Sequence, residues 1–261
     1  MYRSVLNGPS GRGETTMANV AKVAFITGGN RGIGLQTAHD LGKQGLTIVL
    51  GARDPNKAES AVAELRAAGI RAEAIAYDAE KPETDASVFA YLEKRYGKLD
   101  VLVNNAGVLL EPLMGNDSTT VSGDVLEKTF ATNVFAVIRL TQKLLPLIEK
   151  APEGRIVNLS SVLGSLGAHT APGSQIAGAK PLAYNASKAA LNAFTVHLAA
   201  ALAGTRIKVN SAHPGWVKTE LGGAYAPMEI ADSGRTSARL ALLGSDGPSG
   251  GFFHENDALP W

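Results

Sequence analysis

No cysteine occurs among the 261 residues, which excludes disulfides, thiolate zinc sites and cysteine nucleophiles together. Histidine is sparse as well. The five histidines, at 39, 169, 197, 213 and 254, show no metal-ligand spacing, so no metal site is expected. Nor is there an excess of charge of either sign: the formal net charge is +1 and the basic residues are scattered. That pattern leaves no footprint for nucleic acid and no patch for a membrane surface. No apolar run is long enough to span a bilayer, and the stretch MYRSVLNGPSGRGETTMANV lacks the apolar segment of a signal peptide. Residues 1–20 are polar, rich in Gly, Ser and Thr, and contain a second methionine, Met17, just before the first apolar run. They read as a disordered leader, or as a start upstream of the true one, followed by a single domain over 21–261. A cytoplasmic location follows by default.

What the chain does have is apolar substance, 45% of its residues against 19% charged, which is enough for a full core. From Lys22 onward, strand-like and helix-like segments alternate. KVAFITGG is a short apolar strand closing on glycines, GIGLQTAHDLGKQG has helical periodicity, and LTIVLGAR is a second strand. DPNKAESAVAELRAAG begins with Asp54 at an N-cap position and Pro55 at the first helical position, and stops at Gly69. Strand IRAEAIAYD and helix ETDASVFAYLEKRYG follow, then strand LDVLVNNAG and a long helix, DVLEKTFATNVFAVIRLTQKLLPLI. GRIVNLSS, IKVNSAHPG and SGGFFHEND read as further strands, with helix AYNASKAALNAFTVHLAAALA between the first two. TIVL, DVLV and RIVN lack polar alternation, as strands covered on both faces do. The expected fold is α/β: a Rossmann-type doubly wound parallel sheet in a single domain.

TGGNRGIG, Thr27 to Gly34, lies between the first strand and the first helix. Glycines at 28, 32 and 34 permit a tight turn and close backbone approach, and a helix N-terminus beyond them attracts a pyrophosphate. Enzymes that select NAD place a carboxylate at the end of the second strand. Here that strand ends VLGARD, with small Ala52 at the acidic position and Arg53 after it. Arg31 lies inside the glycine loop. Two guanidiniums near an adenosine ribose suit a 2′-phosphate, which accepts bidentate hydrogen bonds. Solvated surface charges are the other reading, and Asp54 is read as the helix cap. Tyr184 and Lys188 stand four apart in an alanine-rich run, hence on one helix face. Taken alone, that spacing reads first as structural.

The order of motifs changes that reading. TGGNRGIG, NNAG (104–107), Asn133 in ATNVF, NLSS (158–161), YNASK (184–188) and HPGWVKTE (213–220) come in the order of the short-chain dehydrogenase/reductase family. The chain resembles that family from about residue 22 to 220. Its tail, LALLGSDGPSGGFFHENDALPW, is similar to the carbonyl-reductase-like branch. The resemblance implies reduction of a ketone or aldehyde by NADPH, with Tyr184 as the proton donor. A phenol titrates near ~10, and lowering that by ~3 units takes on the order of 4 kcal/mol. The resemblance assigns this lowering to Lys188, which also holds the nicotinamide ribose. It gives Ser161 the substrate carbonyl, with Ser160 as the competing candidate. Asn133 binds a backbone carbonyl and supports a proton relay.

The resemblance further implies that Gly28, Asn30, Arg31, Gly32, Ile33 and Gly34 hold the cofactor phosphates. Arg53 lies near the ribose, and Asp78 bonds the adenine or caps the next turn. Asn105, Ala106 and Gly107 shape the floor, while Pro214, Gly215, Val217 and Thr219 lie against the nicotinamide. His197 and His213 read as packing or polar residues. An NAD-dependent alcohol dehydrogenase working oxidatively is the alternative, and a non-catalytic dinucleotide sensor is another. The partner implied is a small carbonyl substrate, with neither nucleic acid nor membrane. Monomer and homo-oligomer both stay open, since helices over 124–148 and 184–203 form dimer faces in many relatives. The connection from Ser161 to Tyr184 carries four glycines and two prolines. It is expected to be irregular chain forming a wall of the substrate pocket through Leu163, Leu166 and Ile176, with an exposed insertion that modulates oligomerisation as the alternative.

Overall fold

A computed structural model describes residues 21–114 and 117–261, and the expected leader, 1–20, lies outside the described residues. The chain alternates β1 (Val23–Thr27), α1 (Gly32–Lys43), β2 (Thr47–Ala52), α2 (Pro55–Ala67), β3 (Ala72–Ala76), α3 (Glu83–Tyr96) and β4 (Val101–Asn104). A long helical stretch follows: α4 (Gly123–Phe130), one π turn (Ala131–Phe135) and α5 (Ala136–Glu149). Then come β5 (Arg155–Leu159), the short α6 (Leu166–Thr170), α7 (Leu182–Ala201), β6 (Lys208–Ala212), α8 (Arg235–Ala241), β7 (Phe252–His254) and β8 (Asp257–Ala258). The strands form one sheet in the order β3-β2-β1-β4-β5-β6-β7-β8. All neighbours are parallel except β8, which returns antiparallel along β7. This is the doubly wound α/β fold that the alternation predicts.

The continuous apolar strands follow from burial on both faces. In β1, Ala24 and Ile26 pack into one core cluster with Leu41 of α1, Leu65 of α2 and Leu240 of α8. Val23 and Phe25 point the other way, into a cluster with Leu92 of α3 and Leu140 and Leu144 of α5. No face of β1 is left for polar residues, so period-two alternation disappears. Local signals behave as read: the Asp54 carboxylate accepts from the backbone N–H of Asn56 at 3.0 Å, capping α2 behind Pro55. Gly97 closes α3 in the left-handed region, at φ 71°.

One element departs from expectation. The single helix predicted over 124–148 is interrupted by the π turn at Ala131–Phe135, with the buried Asn133 inside it. A π turn widens the helix by one residue, and such turns frequently accompany functional sites. Apolar periodicity runs through the interruption, so the pattern conceals it.

The two ends of the sheet are finished differently. At the N-terminal strand ends, buried Asp100 accepts from Val23 N at 2.8 Å and pairs with Lys98 at 2.8 Å. Buried Arg155 donates to the Leu243 carbonyl at 2.6 and 2.9 Å and to Gly154 O at 2.8 Å. At the C-terminal ends the side-chain ties from strand to strand, through Thr27, Asn104 and Asn105, are neutral, and there the chain reverses its winding between β1 and β4 and opens a crevice.

Gly164, in the turn after β5, lies so close to α7 that a Cβ there would stand 2.7 Å from both the carbonyl carbon and the Cβ of Lys188. Gly164→Ala should therefore cost about 1–3 kcal/mol through overpacking. Thermal denaturation should show this as a Tm lowered by about 2–4 °C per kcal/mol. Gly123→Ala, where an added Cβ meets nothing within 4 Å, should leave Tm unchanged or raise it.

Candidate active site

The crevice opens into a cavity of about 1060 Å³ at the C-terminal ends of the strands. Gly28, Asn30 and Arg31 line it from the loop after β1, and Gly32, Ile33 and Gly34 from the first turn of α1. Gly28 and Gly32 hold φ of 61° and 54°, which disfavours any side chain. At Gly34 the reason is space: a Cβ would lie 2.5 Å from Asn105 Nδ2 and 2.6 Å from Gly28 O. Arg31, the N-cap residue of α1, makes no capping bond with its side chain, and the first turn carries no acidic residue. The positive end of this helix therefore meets the cavity with no acidic residue in its own first turn.

Asn105, Ala106 and Gly107 line the facing side. Thr27 Oγ1 accepts from the backbone N–H of Asn105 and of Ala106, each at 2.9 Å, and Asn105 Nδ2 donates to Thr27 O at 2.7 Å. Arg53 and Asp78 line the far end. Asp78 also accepts from Glu80 N at 3.1 Å, so it both caps its turn and faces the cavity. Pro214, Gly215, Val217 and Thr219 close the opposite rim, on a segment braced by Lys218 N to Met228 O at 2.9 Å. On the same segment Glu220 forms an ion pair with the Arg31 guanidinium. Nothing in the sequence pattern pointed to that partner.

At the floor, Ser161 follows β5 while Tyr184 and Lys188 project from one face of α7, both buried. The Ser161 hydroxyl accepts from Leu163 N at 3.2 Å and lies near enough to the Tyr184 phenol to favour its ionised form. Ser160, the competing candidate, is buried with an Oγ that has no hydrogen-bond partner. Lys188 Nζ donates to Leu159 O at 2.7 Å and stands 5.6 Å from the centre of the Tyr184 ring. Burial pushes the Tyr184 phenol up to about 12, against a lowering by Ser161. Burial also brings Lys188 down to about 8. The ammonium of Lys188 makes no resolved contribution to the phenol here. Desolvation governs both groups, and the one partner that opposes it at Tyr184 is Ser161.

Asn133 sits one layer behind the cavity wall. Its Oδ1 accepts from Val108 N at 2.8 Å, and its Nδ2 donates to Val108 O at 2.9 Å and to Ser187 Oγ at 3.0 Å. A Cβ on Gly107 would fall 3.2 Å from Asn133 Oδ1 and 3.5 Å from Lys188 Nζ. Glycine at 107 keeps the space between amide and ammonium open.

The apolar part of the cavity comes from Leu109, Leu110, Leu113 and Met114 after β4 and from Trp216, Leu221 and Ile230 after β6. Of these only Trp216 lies within a motif, HPGWVKTE, and none was singled out as a lining residue. Leu163 and Ile176 line it as expected, but Leu166 does not: it stands 69% exposed at the start of α6. The connection is more ordered than its glycines implied, because Ser165 Oγ accepts from Ala168 N at 2.9 Å and caps that short helix. Glu111 was also missed. Its carboxylate accepts from Tyr184 N at 3.1 Å. The one available signal was Pro181, which precedes α7 without a side-chain acceptor to cap it. His213 lines the cavity, accepts from Val162 N at 3.3 Å through Nδ1, and is brought down to about 3 by burial and by His254. It is therefore neutral near pH 7 and fits the packing role expected of it; His197 is exposed on α7.

Residues 22–229 match the family model described as short chain dehydrogenase. The chain is 30% identical over 283 residues to NADPH carbonyl reductase 1 of Mus musculus, covering 94% of this chain and all of that one. It superposes on the carbonyl reductase Sniffer of D. melanogaster with a TM-score of 0.78 at 29% identity, covering 93% of this chain and 100% of the other. An NADPH-bound carbonyl reductase from chicken fatty liver gives a TM-score of 0.80 at 25% identity, covering 92% and 99%.

The depressed Lys188 has a measurable signature. Below about 8 the amine is charged in both the folded and unfolded chain, and folding carries the full cost of burying it. Between about 8 and 10.5 the folded chain has released a proton that the unfolded chain still holds, so stability rises with pH. Tyr184 acts in the opposite sense above 10, where the unfolded phenol ionises and the folded one holds its proton to about 12. Denaturant titrations over about pH 7 to 10 should show the wild type gaining stability relative to Lys188→Met. A constant difference would mean that Lys188 is not a buried charge.

Proposed function

The chain belongs to the short-chain dehydrogenase family, and on that premise we propose that it reduces ketones or aldehydes to alcohols with NADPH, using Tyr184 as the proton donor. One observation carries this reading: a buried phenol, beside Ser161 and backed by a buried amine, stands at the floor of a cavity whose other wall is a glycine-lined helix N-terminus.

The residues present fit the cofactor. The N–H groups at the start of α1, uncompensated by any acidic side chain in that turn, suit a pyrophosphate. Arg53 suits a 2′-phosphate, and Arg31 joins it once released from Glu220. Asp78 would bond the adenine, Asn105 and Gly107 would form the floor, and the 214–219 segment would hold the nicotinamide, all of them lining the cavity. The mouse and chicken relatives are NADPH carbonyl reductases by name. NADPH supplies the hydride.

This chain's residues supply the rest. Ser161 and Tyr184 hold the substrate oxygen with their hydroxyls, which stabilises the negative charge that develops there. Tyr184 keeps its proton at neutral pH, as a donor must, and passes it to that oxygen. Lys188, at about 8, is mostly charged at neutral pH and stabilises the phenolate left behind. Asn133 fixes the backbone at Val108 beside Lys188, on the side from which a proton returns. The apolar wall keeps bulk water from the reacting atoms.

Initial rates over ketones, ketoesters and quinones, with NADPH and then NADH, test the activity. Tyr184→Phe keeps the ring and removes the proton, so kcat should fall about 10²–10⁴-fold while the NADPH Kd changes little. Substantial turnover by this variant would return Tyr184 to a structural role. Arg53→Asp removes one charge-assisted contact worth on the order of 1.5–3 kcal/mol, so NADPH should weaken roughly ten- to hundredfold, with NADH little affected. Equal use of NADH by the wild type would overturn the cofactor assignment.

A further inference from the structure

We propose that Glu111 is a positioning residue that straps the apolar wall of the cavity, residues 108–114, to the first turn of α7, holding wall and proton donor at a fixed separation. The inference rests on the reading of Tyr184 as that donor.

α7 starts with an unmet need. Its N-cap residue, Pro181, has no side chain that accepts a hydrogen bond, and the first turn has no acidic residue. Helices begin with N–H groups that lack internal partners, and the third is the one a capping side chain usually meets. Here that N–H belongs to Tyr184, and it is met by a carboxylate 73 residues earlier in the chain. A negative group at the positive end of a 20-residue helix is favourably placed.

Capping alone would not require the carboxylate to come from this particular segment. Glu111 lies between Leu109 and Leu110 on one side and Leu113 and Met114 on the other; these four line the cavity and Glu111 does not. Residues 107–110 belong to no helix or strand, so side-chain bonds must fix the position of the wall. Val108, at its near end, is gripped through both N and O by Asn133, which in turn bonds Ser187 of α7. Glu111 supplies the second grip, also on α7. Leu109 and Leu110 are thus suspended between two ties that lead to the helix bearing Tyr184 and Lys188.

Three variants test the strap: Glu111→Ala, Glu111→Gln, and Glu111→Ala combined with Pro181→Ser, which gives α7 a cap of its own. The measurements are Tm, NADPH Kd, KM for a bulky ketone and for a small aldehyde, and amide hydrogen exchange in a peptide spanning 108–114. Glu111→Ala should raise KM for the bulky ketone about tenfold, with less effect on the aldehyde, since small misplacements of a binding wall are costly. It should also speed exchange in 108–114 and leave NADPH Kd unchanged. Adding Pro181→Ser should restore Tm but neither KM nor exchange, and it keeps the test available if the single variant folds poorly. Glu111→Gln retains an oxygen acceptor and should recover most of both. Recovery of every property by Pro181→Ser, or unchanged exchange and an unchanged ratio of the two KM values in Glu111→Ala, would reduce Glu111 to a helix cap and overturn the proposal. If the wild type reduces no carbonyl with NADPH, the proposed function fails, while the exchange measurement still decides the strap.

Discussion

Thr27 and Asn105 tie the ends of β1 and β4 together at the one place in the sheet where successive units wind in opposite directions. Helices diverge on either side of such a reversal, so a crevice forms between the loops that follow the two strands. The bonds keep that crevice narrow and of fixed shape. The rest of the site is referred to them. Gly34 lies against Asn105, which brings the start of α1 to the cavity, and Gly107 stands two residues further on, beside Asn133 and Lys188. A slip of one residue between β1 and β4 would separate the phosphate-binding half from the reacting half.

The second requirement is to keep a phenol and an amine buried side by side without letting water in to solvate them. Neutral polar groups accomplish this. Asn104 Nδ2 donates to Asn158 Oδ1 at 2.8 Å, Asn158 Nδ2 to Thr195 Oγ1 at 2.9 Å, and Thr195 pairs with Ser211 at 2.8 Å. This chain crosses β4, β5 and β6 and reaches α7 at Thr195, seating the helix on the sheet about two turns beyond Lys188. Hydrogen-bonded amides and hydroxyls in a low-dielectric interior are rigid, since any rearrangement leaves a group unpaired. The same low dielectric pushes Tyr184 up and Lys188 down.

Much of this was legible in the sequence because the responsible signals are local. The glycines of the phosphate loop, the Asp54–Pro55 helix start and the unbroken apolar strands each reflect a constraint acting within a few residues. The order of motifs placed Tyr184, Lys188, Ser161 and Asn133 in one neighbourhood, and they lie there. What escaped depends on contacts between distant segments. Glu111 meets Tyr184 across 73 positions and Arg31 meets Glu220 across 189, and neither pair has a spacing rule. The π turn around Asn133 was hidden because apolar periodicity passes through it. The direction of each pKa shift was not legible either. A spacing of four residues shows that Lys188 and Tyr184 share a face, but not that the ammonium is already engaged by the Leu159 carbonyl or how dry the pocket is.

The unequal finish of the two sheet ends bears on how such a protein can diversify. The charged ties at Asp100 and Arg155 sit at the strand beginnings, remote from the cavity, and secure the sheet there. The apolar lining comes from separate connections after β4, β5 and β6 that the sheet merely carries. Replacements in Leu110, Met114, Trp216 or Leu221, all substantially exposed at the mouth, remove little core packing and so spend little of the folding margin. A lineage built on this plan can drift from one substrate to another through its loops while inheriting the same framework and the same buried Tyr184–Lys188 pair.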